Sequence, residues 1–153
     1  MRIYKANWLH LYMAALALAD SDREEMDRLE AGRDPINVLT ASSGDPTVHH
    51  ISDDSGRVLA VGGHQNGVIW FVHTKHTEAL SHSGKRRMLR LLARHLIHIK
   101  REAHRARPAD QFHFTNVVSV DNQAHIKLLE HLGAVWWGDE VTLNGHQFRQ
   151  FFF

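Results

Sequence analysis

The stretch FHFTNVVSV, residues 112–120, is almost continuously apolar or β-branched. Such a run suits a strand covered on both faces, because a strand with one wet face alternates apolar with polar residues. Before it lies SGKRRMLRLLARHLIHIKREAHR (83–105), in which Leu89, Leu92, Ala93, Leu96 and Ala103 recur at helical spacing. RPAD separates the two segments. After it, residues 122–132 read as a short helix stopped by Gly133. AVWWGDEVTL and HQFRQFFF then close as a hairpin across Asn144-Gly145. A doubly covered strand between two helices calls for a mixed α/β sheet with helices on its faces.

The N-terminal half supplies the rest of that sheet. RIYKA reads as a short strand. Residues 7–19 read as a helix, with Trp8, Leu11, Tyr12, Ala15, Leu18 and Ala19 as its apolar stripe. DSDREEMDRLEAGRDP reads as a second helix, with Glu24 and Glu25 in the dipole-favoured first turn and Gly32 and Pro35 as the stop. TASSGDP is a loop. TVHHIS, RVLAVGGHQ and GVIWFVHT are three strands punctuated by DDSG and HQNG, and Asn66-Gly67 marks a tight hairpin.

The 153 residues suit one domain, 1–153, able to bury its own core. The absence of cysteine excludes disulfides, thiolate metal sites and a cysteine nucleophile. A net charge of +1 gives no bulk field for nucleic acid or a membrane surface, and neither is an expected partner. The opening MRIYKANWLHLYMAALALAD has the outline of a signal peptide, but Asn7 and His10 interrupt it. Its apolar run falls short of the roughly 20 residues a span requires. An amphipathic first helix is the expectation.

This element order, with NQAHIKLLEHLGAVWW in its second half, resembles the GNAT acyltransferase superfamily. The segments GRDP, GRVLAVGG, VIWFVHT, SGKRRMLRLL and NQAHIKLLEHLGAV are similar to those of small GNAT-like proteins of tailed bacteriophages. The resemblance implies a mostly antiparallel sheet whose central strands splay, with acyl-CoA threaded through the gap. It implies acetyl-CoA or CoA as cofactor and an amine as acceptor. Phe71, Val72, His73 and Thr74 would offer strand backbone to the pantetheine arm. Ser83, Gly84, Lys85 and Arg86 would meet the pyrophosphate at a helix start, where free N–H groups favour an anion. Asn122 would lie near the thiol end.

The chain departs from the family pattern. Ser81 stands where the phosphate loop has Gln or Arg, and Arg86 where it has a small residue. A plain helix start capped by Ser81 or Ser83 is the alternative to a phosphate site. The family's general-acid tyrosine is replaced by Leu129, seven residues after Asn122. His125, His73 and Ser119 are the candidate catalytic groups, each with a structural alternative. Catalysis by positioning alone needs no acid. The second function class is a non-catalytic phage protein that uses this frame to bind a host enzyme or virion component in the host cytoplasm.

Fourteen histidines raise the question of a metal, but the pairs His73/His76 and His95/His98 lack a third ligand, so none is expected. Arg87, Arg90, Arg94, His98, Arg101 and Arg105 share one face of the long helix, which suits either a nucleic-acid or acidic-partner surface or the solvated side of a helix packed on a sheet, and the low net charge makes the solvated side the expectation. The last three phenylalanines cannot all face one core, so at least one must cover a neighbouring element, a partner or a second subunit, through a dimer of the last strands or by docking onto a helix of the same chain.

Overall fold

The computed structural model describes every residue from Met1 to Phe153. In chain order it holds β1 (Arg2–Lys5), α1 (Trp8–Leu16), α2 (Asp20–Leu29), α3 (Pro35–Thr40), β2 (His49–Ser52), β3 (Val58–Gln65) and β4 (Val68–His73). A single 3-10 turn, Lys75–Thr77, leads into α4 (His82–Ala106), β5 (Thr115–Ser119), α5 (Gln123–His131), β6 (Val135–Leu143) and β7 (His146–Phe152). The seven strands form one sheet in the order β1-β2-β3-β4-β5-β7-β6. Every neighbouring pair is antiparallel except β4 and β5. This is the mixed α/β, mostly antiparallel sheet expected from the sequence.

Both tight turns form where Asn-Gly stands. Asn66 and Gly67 have φ of 51° and 82°, and Asn144 and Gly145 have 50° and 79°. These left-handed values match the strand twist of a two-residue hairpin.

The helices divide between the two faces. α1 and α3 bury Leu11, Ala14, Ala15 and Leu39 against Val48, Val58 and Val61. On the other face, Leu96 of α4 and Ile126 and Leu129 of α5 pack with Phe114, Val118 and Phe151. Met88 of α4 packs with Met1, Ile51 and Leu59 near the β1 end. Val118 is fully buried and Phe114 nearly so, as the opening stretch demands, although the paired strand is shorter than that stretch.

β4 and β5 meet at one registered pair, Val68 with Thr115, and then part. Beyond it the Asn116 side chain, not β5 backbone, donates to the Ile69 carbonyl at 2.7 Å. The expected splay is therefore present.

Three local expectations need correction. Pro35 does not stop a helix. It opens α3, because Asp34 caps the Ile36 N–H at 3.0 Å and a proline at the first helical position loses no bond. α1 ends at Leu16, so Leu18 and Ala19 are buried in the connection to α2 rather than on the α1 stripe. Trp8 and Tyr12 stack on each other at 5.0 Å, with Trp8 about half exposed, so the core stripe of α1 is Leu11, Ala14 and Ala15.

At Gly62 of β3 a Cβ would lie 2.8 Å from the Trp70 carbonyl oxygen of β4. Backbone on backbone cannot yield without opening the strand pair. Gly62→Ala is expected to lose about 1–3 kcal/mol in chemical denaturation, the usual cost of overpacking. An unchanged midpoint would mean that β3 and β4 separate more easily than this contact implies.

Candidate active site at the strand splay

The gap between β4 and β5 is closed by α2. The register with β3 turns the N–H and C=O of Val72 toward β3, so those of Phe71 and His73 face the gap. The His73 N–H donates to Asp22 Oδ2 at 2.7 Å, and the His73 carbonyl accepts from the Ala19 N–H at 3.0 Å. Across the gap, the Ser119 N–H of β5 donates to Glu25 Oε2 at 3.3 Å. Two carboxylates one helical turn apart thus hold backbone donors of both parted strands.

Side chains extend the network. His73 Nδ1 lies 2.7 Å from Asp22 Oδ2. Asn122 caps α5 by accepting from the His125 N–H at 3.2 Å, and its amide donates to Glu25 Oε2 at 2.8 Å. Arg28 donates to Ser119 Oγ at 2.8 Å and pairs with Asp121 at 3.1 Å. Asp22, Ser119 and Asn122 are all less than 5% exposed. His125 Nδ1 is buried without a hydrogen-bond partner, 3.8 Å from Glu25 Oε1.

The titration of these groups follows from burial and from the charges they share. Burial pushes the Glu25 carboxyl up to about 7, and the nearby Asp22 charge adds to this, against the opposing Asn122 hydrogen bond. Burial alone would lower His73, but the hydrogen bond and charge of Asp22 prevail and hold it above its ordinary value. Burial lowers His125 and keeps it neutral. Near neutral pH the site therefore holds an Asp–His pair, a carboxyl close to its midpoint and a neutral imidazole.

The sequence-derived candidates divide in their placement. His73, His125, Ser119 and Asn122 converge on this network. Phe71 and Val72 line a cavity of about 540 Å³ that reaches both faces of the sheet beside the gap. Thr74 turns away, fully buried, with its hydroxyl donating to the Val58 carbonyl at 2.8 Å. At the start of α4, Ser81 Oγ accepts from the Gly84 N–H at 3.2 Å, while Ser83, Lys85 and Arg86 lie exposed. A Cβ on Gly84 would meet Leu80 and Ser81 at 3.4 Å. Leu129, where the family places its acid, is a core side chain.

Asp22 and Glu25 escape a reading of the sequence that treats the acids of DSDREE as dipole partners. A signal is present. Asp22, Glu25, Met26 and Leu29 fall at 0, 3, 4 and 7, the spacing of a buried helical stripe, and two of the four are carboxylates.

Histidines also gather beneath α4 without forming a metal site. His49 and His95 rings lie 4.7 Å apart, and His95 and His98 rings 6.4 Å apart. No group of three or more His, Asp or Glu side chains is placed to hold a metal ion. Nor is any helix long and apolar enough to cross a membrane.

The fold has solved counterparts. An N-acetyltransferase from Staphylococcus aureus Mu50 is 10% identical with a TM-score of 0.58, covering 100% of each chain. A GNAT-family acetyltransferase from Bacillus cereus ATCC 10987 is 10% identical at 0.61, covering 99% of this chain and 95% of that one. A variant spermidine N-acetyltransferase from Vibrio cholerae is 14% identical at 0.59, covering 99% and 94%. At such identities the likeness establishes an acetyltransferase-like fold. No curated protein matches in sequence. Residues 48–142, more than half of the chain and spanning β2 to the outer strand β6, match the model of the bacteriophage T7 probable scaffold protein Gp13 family, and the chain belongs to that family.

Proposed function

We propose that this protein serves virion assembly as a non-enzymatic, protein-binding component whose acyl-CoA cleft is bridged by two carboxylates of its own helix α2. One observation carries the reading: Asp22 and Glu25 occupy the His73 and Ser119 N–H groups that face the gap. A pantetheine arm would have to displace two internal carboxylates held on one turn of helix. The Ser81 cap, the exposed Arg86 and the buried Leu129 support the same reading. So does membership of a family described as probable scaffold proteins.

Protein-facing surface is available on the outer strand. β6 is an edge strand with Val135, Trp137, Val141 and Leu143 exposed, Trp137 at 63%. Edge strands with exposed apolar side chains are templates for pairing with another chain. A virion component or a second copy fits there. The three terminal phenylalanines do not require it, since Phe151 and Phe153 are buried and Phe152 packs on Phe112 and Trp137 at 5.4 and 6.1 Å. The cytoplasm of an infected host is the compartment for this role.

The second reading is an acyl-CoA-dependent N-acyltransferase that moves an acetyl group from acetyl-CoA to an amine. Its specific support is the Glu25 carboxyl, poised at about 7 beside the unpartnered His125. A base with that affinity for protons suits amine deprotonation near neutral pH. In this reading Asp22 releases the His73 N–H while Glu25 stays in place, and the Phe71 and His73 backbone, Ser83–Arg86 and Asn122 receive CoA. His73 and His125 would then share proton handling, with Ser119 as a donor.

Calorimetric titration with acetyl-CoA and CoA separates the two. The assembly reading expects no saturable heat at about 1 mM ligand, the limit of meaningful affinity. Binding at roughly micromolar level, lost in Gly84→Trp, would overturn it in favour of the enzyme.

A further inference from the structure

The charge of this chain is unevenly placed. α4 carries eight lysines and arginines against the single Glu102, a net of +7 in a chain whose total is +1. The remainder of the molecule is therefore acidic, and the near-neutral total conceals a concentrated basic element. Met88, Leu92, Leu96 and Ile99 turn to the sheet, which places Arg86, Arg90, Arg94, Arg101 and Arg105 on the opposite, solvent side. All five are exposed.

An ordinary solvated helix face mixes signs, so that opposite charges three or four residues apart support each other. This one does not. Arg86 and Arg90, Arg90 and Arg94, and Arg101 and Arg105 are like-charged pairs at four-residue spacing. Arg105 pairs with Glu102, and Arg87, beside the ridge, reaches Asp54. No carboxylate pairs with Arg86, Arg90, Arg94 or Arg101. Lys85 and Arg86 also stand in the first turn, where cations oppose the helix dipole. A bound polyanion would relieve each of these repulsions.

We propose that the exposed ridge of α4 binds nucleic acid through its phosphate backbone. The residue type favours phosphate, because the guanidinium fork pairs with phosphate oxygens in two parallel bonds. The surroundings favour nucleic acid over an acidic protein. Protein interfaces centre on an apolar or aromatic anchor, and this ridge offers only Ile97, with no Phe, Tyr or Trp among the arginines. Without Phe, Tyr, Trp or side-chain amides on the ridge, binding follows the charge of the backbone rather than its sequence. The inference is independent of whether the cleft binds CoA.

Fluorescence anisotropy tests it, with the full-length protein and a labelled duplex DNA of arbitrary sequence, about 25 base pairs long. The expected result is binding that weakens about 10²-fold between roughly 50 and 200 mM salt, the slope of about four phosphate contacts. The triple variant Arg90→Gln/Arg94→Gln/Arg101→Gln should weaken binding at least tenfold and flatten the salt slope by about 2 to 3. A control of equal charge change away from the ridge, Arg2→Gln/Lys5→Gln/Arg23→Gln, should stay within about twofold of the parent. All six side chains are exposed, so both variants should melt like the parent, and circular dichroism verifies this. No binding at low salt, or an equal loss in both triple variants, overturns the proposal. Competition by poly-glutamate as strong as that of DNA of equal charge also overturns it, in favour of an acidic protein partner.

Discussion

Asp22→Ala is expected to lower stability by about 3–4 kcal/mol, the cost of stranding buried partners of a lost charge. Two donors lose their acceptor at once, the His73 N–H and His73 Nδ1, each 2.7 Å from Asp22 Oδ2. Asp22 is 4% exposed, so water cannot readily replace it. For a domain of this size the melting temperature should fall by about 6–15 °C. Asp22→Asn keeps one acceptor oxygen and should lose about 1–2 kcal/mol. Thermal melts of the two variants check the order. If Asp22→Ala melts within a degree or two of the parent, α2 does not clasp β4, and the assembly reading loses its support.

Glu25→Gln should act in the opposite direction, and increasingly as pH rises from about 4.5 to 7. The folded carboxyl, at about 7, binds its proton more tightly than the unfolded one at 4.5. Between those values the native state carries a proton that the unfolded chain has released, so stability falls as pH rises through the window. The penalty is absent below about pH 4.5 and complete above about pH 7. Its full size is about 3 kcal/mol at 1.36 kcal/mol per pKa unit. The substituted carboxamide would stay neutral, accept from Ser119 and Asn122 through its carbonyl, and offer its N–H to His125 Nδ1. The variant should match the parent near pH 4.5 and exceed it by about 1–3 kcal/mol at pH 8. Denaturation midpoints at the two pH values measure the difference directly. A gain that is equal at both would mean Glu25 titrates normally and the cleft is wetter than the structure shows.

Histidines elsewhere act with the other sign. Burial lowers both His50 and His95 to about 4, so the unfolded chain takes up protons between about pH 6.5 and 4 that the folded one refuses. His50→Phe should therefore flatten the loss of stability in that acid range while leaving neutral stability within about 1 kcal/mol, since His50 already stacks on His10 at 3.7 Å. Melts at pH 5 and pH 7.5 supply the check.

Elements with a strong local signature are legible in the sequence. The Asn-Gly hairpins, the long α4 and the Asn122 cap of α5 depend on φ preference, periodicity and capping, and each acts within a few residues. α3 is not legible, because six residues are too few for a period and a proline after Gly32 reads equally as a stop or a start. The apolar stripe of α1 is misleading because Trp8 and Tyr12 find each other on the surface. At the cleft, His73, Ser119, Asn122 and His125 are nameable from the resemblance alone. Asp22 and Glu25 are not, although their spacing with Met26 and Leu29 carries the hint.

Local spacing and residue type were enough to set the order of elements and the doubly covered central strand, and the resemblance to acetyltransferases exposed the departures at Ser81, Arg86 and Leu129. Such properties survive without knowledge of neighbours. What bridges the splay is a matter of tertiary packing. Asp22 lies 51 residues from His73, and Glu25 lies 94 from Ser119. No periodicity reports a hydrogen bond of that span. The packing of α2 across two parted strands creates it, by bringing carboxylates to N–H groups that burial would otherwise leave unpaired.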